Sequence, residues 1–178
     1  MRKTNFYVLA LVLLLIGIAP TEPISAQETG PSASGHVNLD GTLLTVSFTA
    51  VTHHDGTVTG EMEFHDQGPI PDQDVDGTGE PGLSGSPSGV AVHAEVDCLL
   101  VEDKSAVIGG VVRLSSLPSY LGKSIVLAVE DNGEGSNDPP DGVTWGLYGA
   151  EDEVGCETFP FSAYSLFDIE GGNIQVRP

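Results

Sequence analysis

Apolar and polar residues alternate with a period of two along most of this chain, and that rhythm limits the folds open to it. Leu44, Val46, Phe48 and Ala50 alternate with Thr45, Ser47 and Thr49. Beyond Asp55-Gly56, Val58, Gly60, Met62 and Phe64 alternate with Thr57, Thr59, Glu61, Glu63 and His65. Successive side chains of a strand point to opposite faces, so each run predicts a strand with one apolar face, and two runs around Asp-Gly predict a hairpin. The pattern returns at Val90, Val92, Ala94, Val96, Cys98 and Leu100, against His93, Glu95 and Asp97, and again at Ala106, Ile108, Gly110, Val112 and Leu114. Gly109-Gly110 suggests a bulge or close strand packing there. Further strands are expected over 123–130, 143–148 and 173–177, and no stretch of ten residues carries a helical stripe with caps. The expectation is all-β: a single antiparallel β-sandwich or flattened barrel of about eight or nine strands, one face of each strand toward water. The last strand is expected to pair with the first, near His36 to Leu39, and so close the sheet.

The first 26 residues read differently. Arg2 and Lys3 precede an apolar run from Phe6 to Ile18, and Ile24-Ser25-Ala26 offers a small residue at a cut before Gln27. That order predicts a signal peptide over 1–26 and a secreted protein, extracellular or periplasmic. The run is shorter than the roughly 20 residues of a membrane span, and no cysteine lies near the cut to carry a lipid. Residues 27–34 are then a flexible small-residue linker, and 35–178 one β-domain large enough for a hydrophobic core. Within it, 67–89 is dense in Gly, Pro, Asp and Ser without any periodic run, which predicts a disordered acidic loop. Cys98 and Cys156 form an even pair in an exported chain, so a disulfide is expected rather than a metal or thiol site.

Charge narrows the partners. The chain carries 6 Lys and Arg against 26 Asp and Glu, a net charge of −20. Without Arg2, Lys3 and Glu22 of the leader, 4 basic residues stand against 25 acidic ones, a net of −21. Such a field repels phosphate backbones and anionic headgroups, so no nucleic acid or membrane partner is expected, and cations are favoured. It leaves a protein or glycan partner unspecified. Solubility, or a salty medium in which counterions screen the repulsion, accounts for the same acidity.

Two acidic segments have the character of calcium ligands. Asp72, Asp74 and Asp76, followed by Gly77 and Glu80, set carboxylates at alternate positions before a Gly, as an EF-hand loop begins. The twelfth position is Leu83 and prolines flank the segment, so an EF-hand is rejected and a freestanding calcium loop is the remaining metal reading. The second segment places Asp131, Asn132 and Glu134, with Asp138 and Asp141, after a predicted strand that would hold the first ligand rigidly. Asn-Gly beside prolines is equally ordinary turn chemistry. His65 with Glu61 and Glu63, and His93 with Glu95 and Asp97, would share wet strand faces. If those strands are neighbours, zinc ligation comes into reach, although any wet strand face produces such rows. His53 and His54 read as turn residues.

Hydrolase signatures fail. Gly82-Leu83-Ser84-Gly85-Ser86 lacks the final Gly of a nucleophile elbow, and 25 acids do not single out a glycosidase pair. Trp145, Tyr148 and Tyr120 are the rings that could stack a sugar.

From Val92-His93-Ala94-Glu95-Val96-Asp97-Cys98-Leu99 onward the chain resembles a family of small secreted bacterial proteins of uncharacterised role, which carry a V-H-G-x-V-x-C-L strand. The likeness continues through Ala106-Val107-Ile108-Gly109-Gly110-Val111, Val129-Glu130-Asp131-Asn132-Gly133-Glu134-Gly135, Pro139-Pro140-Asp141, Cys156 and Gly172-Asn173-Ile174-Gln175-Val176. It covers most of the chain from residue 42, with Ala94 where the family has Gly and a longer acidic loop over 67–89. The resemblance implies an exported β-domain with cysteines at matching places and brings no catalytic residues. The combined expectation is a secreted, non-catalytic interaction module that binds calcium, with a hydrolase or a carbohydrate-binding domain as alternatives.

Overall fold

The computed structural model describes residues 30–39, 44–66, 90–135 and 137–178. Nine antiparallel strands make one curled sheet, a half-barrel. They are β1 Ser32–Leu39, β2 Leu44–Thr52, β3 Val58–Asp66, β4 Val90–Glu102, β5 Ser105–Ser115, β6 Ser124–Glu130, β7 Gly142–Tyr148, β8 Phe167–Asp168 and β9 Gly171–Arg177. The sheet order β8-β7-β6-β5-β4-β3-β2-β1-β9 is a meander whose last strand returns beside the first. β9 pairs with β1 from Ser32↔Arg177 to Asn38↔Gly171, as expected. Strand β1 begins at Ser32, so residues 32–34, assigned to the linker, are paired on both sides. The expected signal peptide and the acidic loop over 67–89 lie outside the described residues.

The concave face holds the main core. Alternate residues of every long strand meet there, among them Val46, Phe48, Met62, Phe64, Ile108, Leu127, Trp145 and Ile174. A second, smaller core lies on the convex face of β5, β6 and β7. There Val107, Val126, Ala128 and Tyr148 are covered by the chain after β7 through Cys156 and Tyr164, with Phe159 and Phe161 packed alongside. Ile125 to Val129 are therefore all fully buried, and β6 has no wet face. Its unbroken apolar run is the sequence trace of burial on both sides.

Two bulges between β4 and β5 decide which side chains reach which core. Val96 pairs with Gly110 and Cys98 with Gly109, leaving Asp97 as the extra residue. An extra residue reverses the alternation beyond it. Val96 accordingly joins the main core, whereas Cys98 and Leu100 turn to the convex core and Leu99 and Val101 pack inward. The sequence pattern had placed Val96, Cys98 and Leu100 on one face. The reversal brings Cys98 to Cys156, and the expected disulfide is present with Cα atoms 6.0 Å apart. Gly109 makes room for it, since a Cβ there would lie 2.5 Å from the Cys98 sulfur.

Candidate functional site

Residues 131–135 and 137–141 lie between β6 and β7 and fold against the outer edge of β9. An edge strand presents backbone N–H groups that need acceptors. Carboxylates supply them here. Asp141 accepts from Ile174 N–H at 2.9 Å through Oδ2, and Asp131 accepts from Val176 N–H at 3.1 Å, also through Oδ2. Each uses its other oxygen inside the loop: Asp141 Oδ1 takes Asn132 N–H at 2.8 Å, and Asp131 Oδ1 takes Gly133 N–H at 3.0 Å. The latter closes an Asx turn that Gly133 completes at a φ of 97°. Asp138 Oδ2 accepts from Gly135 N–H at 2.8 Å. Glu134 reaches the same strand through its side chains, accepting from Asn173 Nδ2 at 3.1 Å. Asn132 is held by its own amide, which donates to the Pro140 carbonyl at 2.9 Å.

The five residues expected to act together after β6 are therefore brought together, as a clasp on a strand edge. Asp141 is its centre, 6% exposed and bonded to two backbone amides. Beside the clasp an open cleft of about 610 Å³ is lined by Glu134, Asp138, Asp141, Glu170 and the backbone of Gly171 and Gly172. Hard oxygens around such a cleft suit a cation such as calcium by chemical type. Among the described residues no three His, Cys, Asp or Glu side chains stand close enough to share a metal ion. The strand edge that the clasp serves was not foreseen. Its signal is the alternation Asn173-Ile174-Gln175-Val176, whose polar members meet Glu134.

The other sequence candidates fall elsewhere. Asp72, Asp74, Asp76 and Glu80 lie outside the described residues. β3 and β4 are neighbours, with Glu63 opposite His93 and Glu61 opposite Glu95. Glu63 lies 3.5 Å from His93 and 3.9 Å from His65. His53 and His54 flank the β2–β3 turn, where the Thr57 hydroxyl and backbone hold the Asp55 carboxyl below the usual carboxylate range. Trp145 is 3% exposed, with its ring centroid 6.0 Å from that of Phe64, and Tyr148 is 7% exposed in the opposite core. Neither ring can lie flat on a sugar. Tyr120 is half-buried, with the Lys123 ammonium 5.7 Å from its ring centroid. No helix among the described residues is long and apolar enough to cross a membrane. No family model, curated protein or solved structure matches the chain.

Proposed function

We propose that the chain is an exported, non-catalytic β-domain that acts as an extracellular or surface interaction module, with calcium as an accessory ligand of residues 131–141. The observation that carries this reading is the clasp. Asp131 and Asp141 accept from backbone N–H groups of β9 and of their own loop, which gives these two carboxylates a framing role. The disulfide between Cys98 and Cys156 supports export, because such bonds persist in oxidising compartments. Burial of Trp145 and Tyr148 weighs against the glycan reading and against an acid acting beside Trp145. A carboxylate oxygen that accepts one N–H retains a second lone pair, so a cation at the cleft can add to the clasp without dismantling it.

Melting the protein in millimolar calcium and in chelator, at matched ionic strength, tests the ligand. Binding to the folded state alone raises stability by about 2.7 kcal/mol at a hundredfold excess over Kd. Asp131→Asn should remove most of the calcium shift, whereas Asp74→Asn should leave it. Equal melting temperatures in calcium and in sodium chloride would refute the calcium component. The non-catalytic component fails if chromogenic esters or glycosides are turned over and Glu134→Gln abolishes that turnover.

A further inference from the structure

The second bulge lies at Arg113. His93 pairs with Leu114 but Ala94 with Val112, so β5 carries one residue more than β4 at this point. Val112 faces the main core and is buried. Simple alternation would send Leu114 inward two residues later, yet the extra residue turns it out, 66% exposed. Bulges re-aim side chains in this way. Leu121, just past a 3₁₀ turn at Pro118–Tyr120, is 51% exposed and borders the same cleft of about 420 Å³, together with Val92, His65 and His93. Two leucines held in water beside one cleft form an apolar patch of the kind that marks interaction sites.

The rim of the patch has a definite sign. Glu61 and Glu95 face each other directly across β3 and β4, and like charges in that position destabilise a sheet. Glu63 continues the row on the same face. Among the described residues Arg113 is the one permanent cation bordering the cleft; it donates to Glu95 at 2.9 Å, and no described Lys or Arg is paired with Glu61 or Glu63 there. A partner's lysine or arginine would relieve this repulsion, while its aliphatic side chain covered Leu114 and Leu121. A second copy of the chain would bring the same acidic rim and a net charge of −20, so self-association is opposed.

Resting on the interaction-module reading, we infer that the face of β3, β4 and β5 around Leu114 and Leu121 docks a protein segment in which aliphatic residues are flanked by basic ones. The aliphatic residue is the anchor, and the carboxylates select and steer it.

The probe is a capped heptapeptide alternating lysine and leucine, titrated into the isotope-labelled chain and followed by backbone amide shifts. Controls carry glutamate for lysine, or serine for leucine. Saturable shifts should centre on Ala91, His93, Leu114 and Leu121, and each control peptide should bind at least tenfold more weakly. The double substitution Leu114→Ser with Leu121→Ser, at solvent-exposed positions, should weaken the lysine–leucine peptide at least tenfold with the melting temperature unchanged. Glu63→Gln should weaken it several-fold, and Glu102→Gln, at the far end of β4, should not. Equal binding by the double variant would mean attraction to net charge alone and would overturn the inference. Equal binding of the glutamate peptide, or no binding of any peptide, would overturn it too. Concentration-dependent shifts at Leu114 without peptide would assign the face to a second copy, also against it. Shifts confined to β9 and residues 131–141 would remove this surface and leave the module reading standing, since that reading fails on the turnover assay.

Discussion

The hydroxyl of Tyr164 is buried beside Phe159 and Phe161 with no hydrogen-bond partner among the described residues. Removing an unsatisfied buried hydroxyl relieves its desolvation penalty, so Tyr164→Phe should raise stability by about 1 kcal/mol. Burial also pushes the pKa of the Tyr164 hydroxyl above that of a free phenol. An unfolded tyrosine titrates near pH 10, so above that pH the unfolded chain releases a proton that the folded chain retains, and stability falls as pH rises. The melting-temperature advantage of Tyr164→Phe should therefore widen above pH ~10, and a constant gap would exclude the ionisation component. Leu114 carries a different lesson at this scale. Its exposure depends on one extra residue in β5, and nothing in the local sequence around Arg113 distinguishes a bulge from a regular strand.

At the scale of the element, the clasp makes two carboxylates stand in for a missing strand beside β9. Asp141→Asn keeps one acceptor but sets an amide NH₂ against a backbone donor, and charge-assisted hydrogen bonds contribute about 1.5–3 kcal/mol each. The variant should lose about 2–3 kcal/mol and accelerate hydrogen exchange at Ile174 and Asn132, the two amides that Asp141 accepts from. Asp138→Asn, confined to an exposed turn, should change little, and matching losses in both variants would argue against the clasp. The strands themselves were legible. Alternation located β2 through β5 to within a few residues, and the spans expected for β6, β7 and β9 lie within two residues of those observed. Asp131 to Asp141 were legible as a group, because carboxylates, Gly and Pro mark a structured turn. Their partner was not, since the amides of Ile174 and Val176 lie more than thirty residues onward and backbone donors leave no mark in side-chain chemistry. The convex core was hidden for a similar reason. The aromatic residues that cover β6 come from a segment without periodicity, and only their packing against Val126 and Ala128 gives them a role.

Across the whole molecule, one disulfide fastens the convex core to a sheet that the concave core already holds. Its loop of 58 residues corresponds to roughly 4 kcal/mol in the chain-entropy model. Reduction should lower the melting temperature and weaken the near-ultraviolet signal of Tyr148 and Tyr164 before strand content is lost. Loss of both signals in one transition would show instead that the two cores unfold as one. The pairing of β1 with β9 adds a matter of timing. Ser32 must wait for Arg177, so the outward edge of β1 has no neighbour until β9, the last strand of the sheet in sequence order, has been made. At synthesis rates of about 5–20 residues per second, the wait is on the order of ten seconds, during which another unfinished chain could take the vacant place. Nascent copies that repel one another through a surplus of carboxylates are slow to meet in that interval, so the acidity that reads as solubility in the finished protein also guards its assembly.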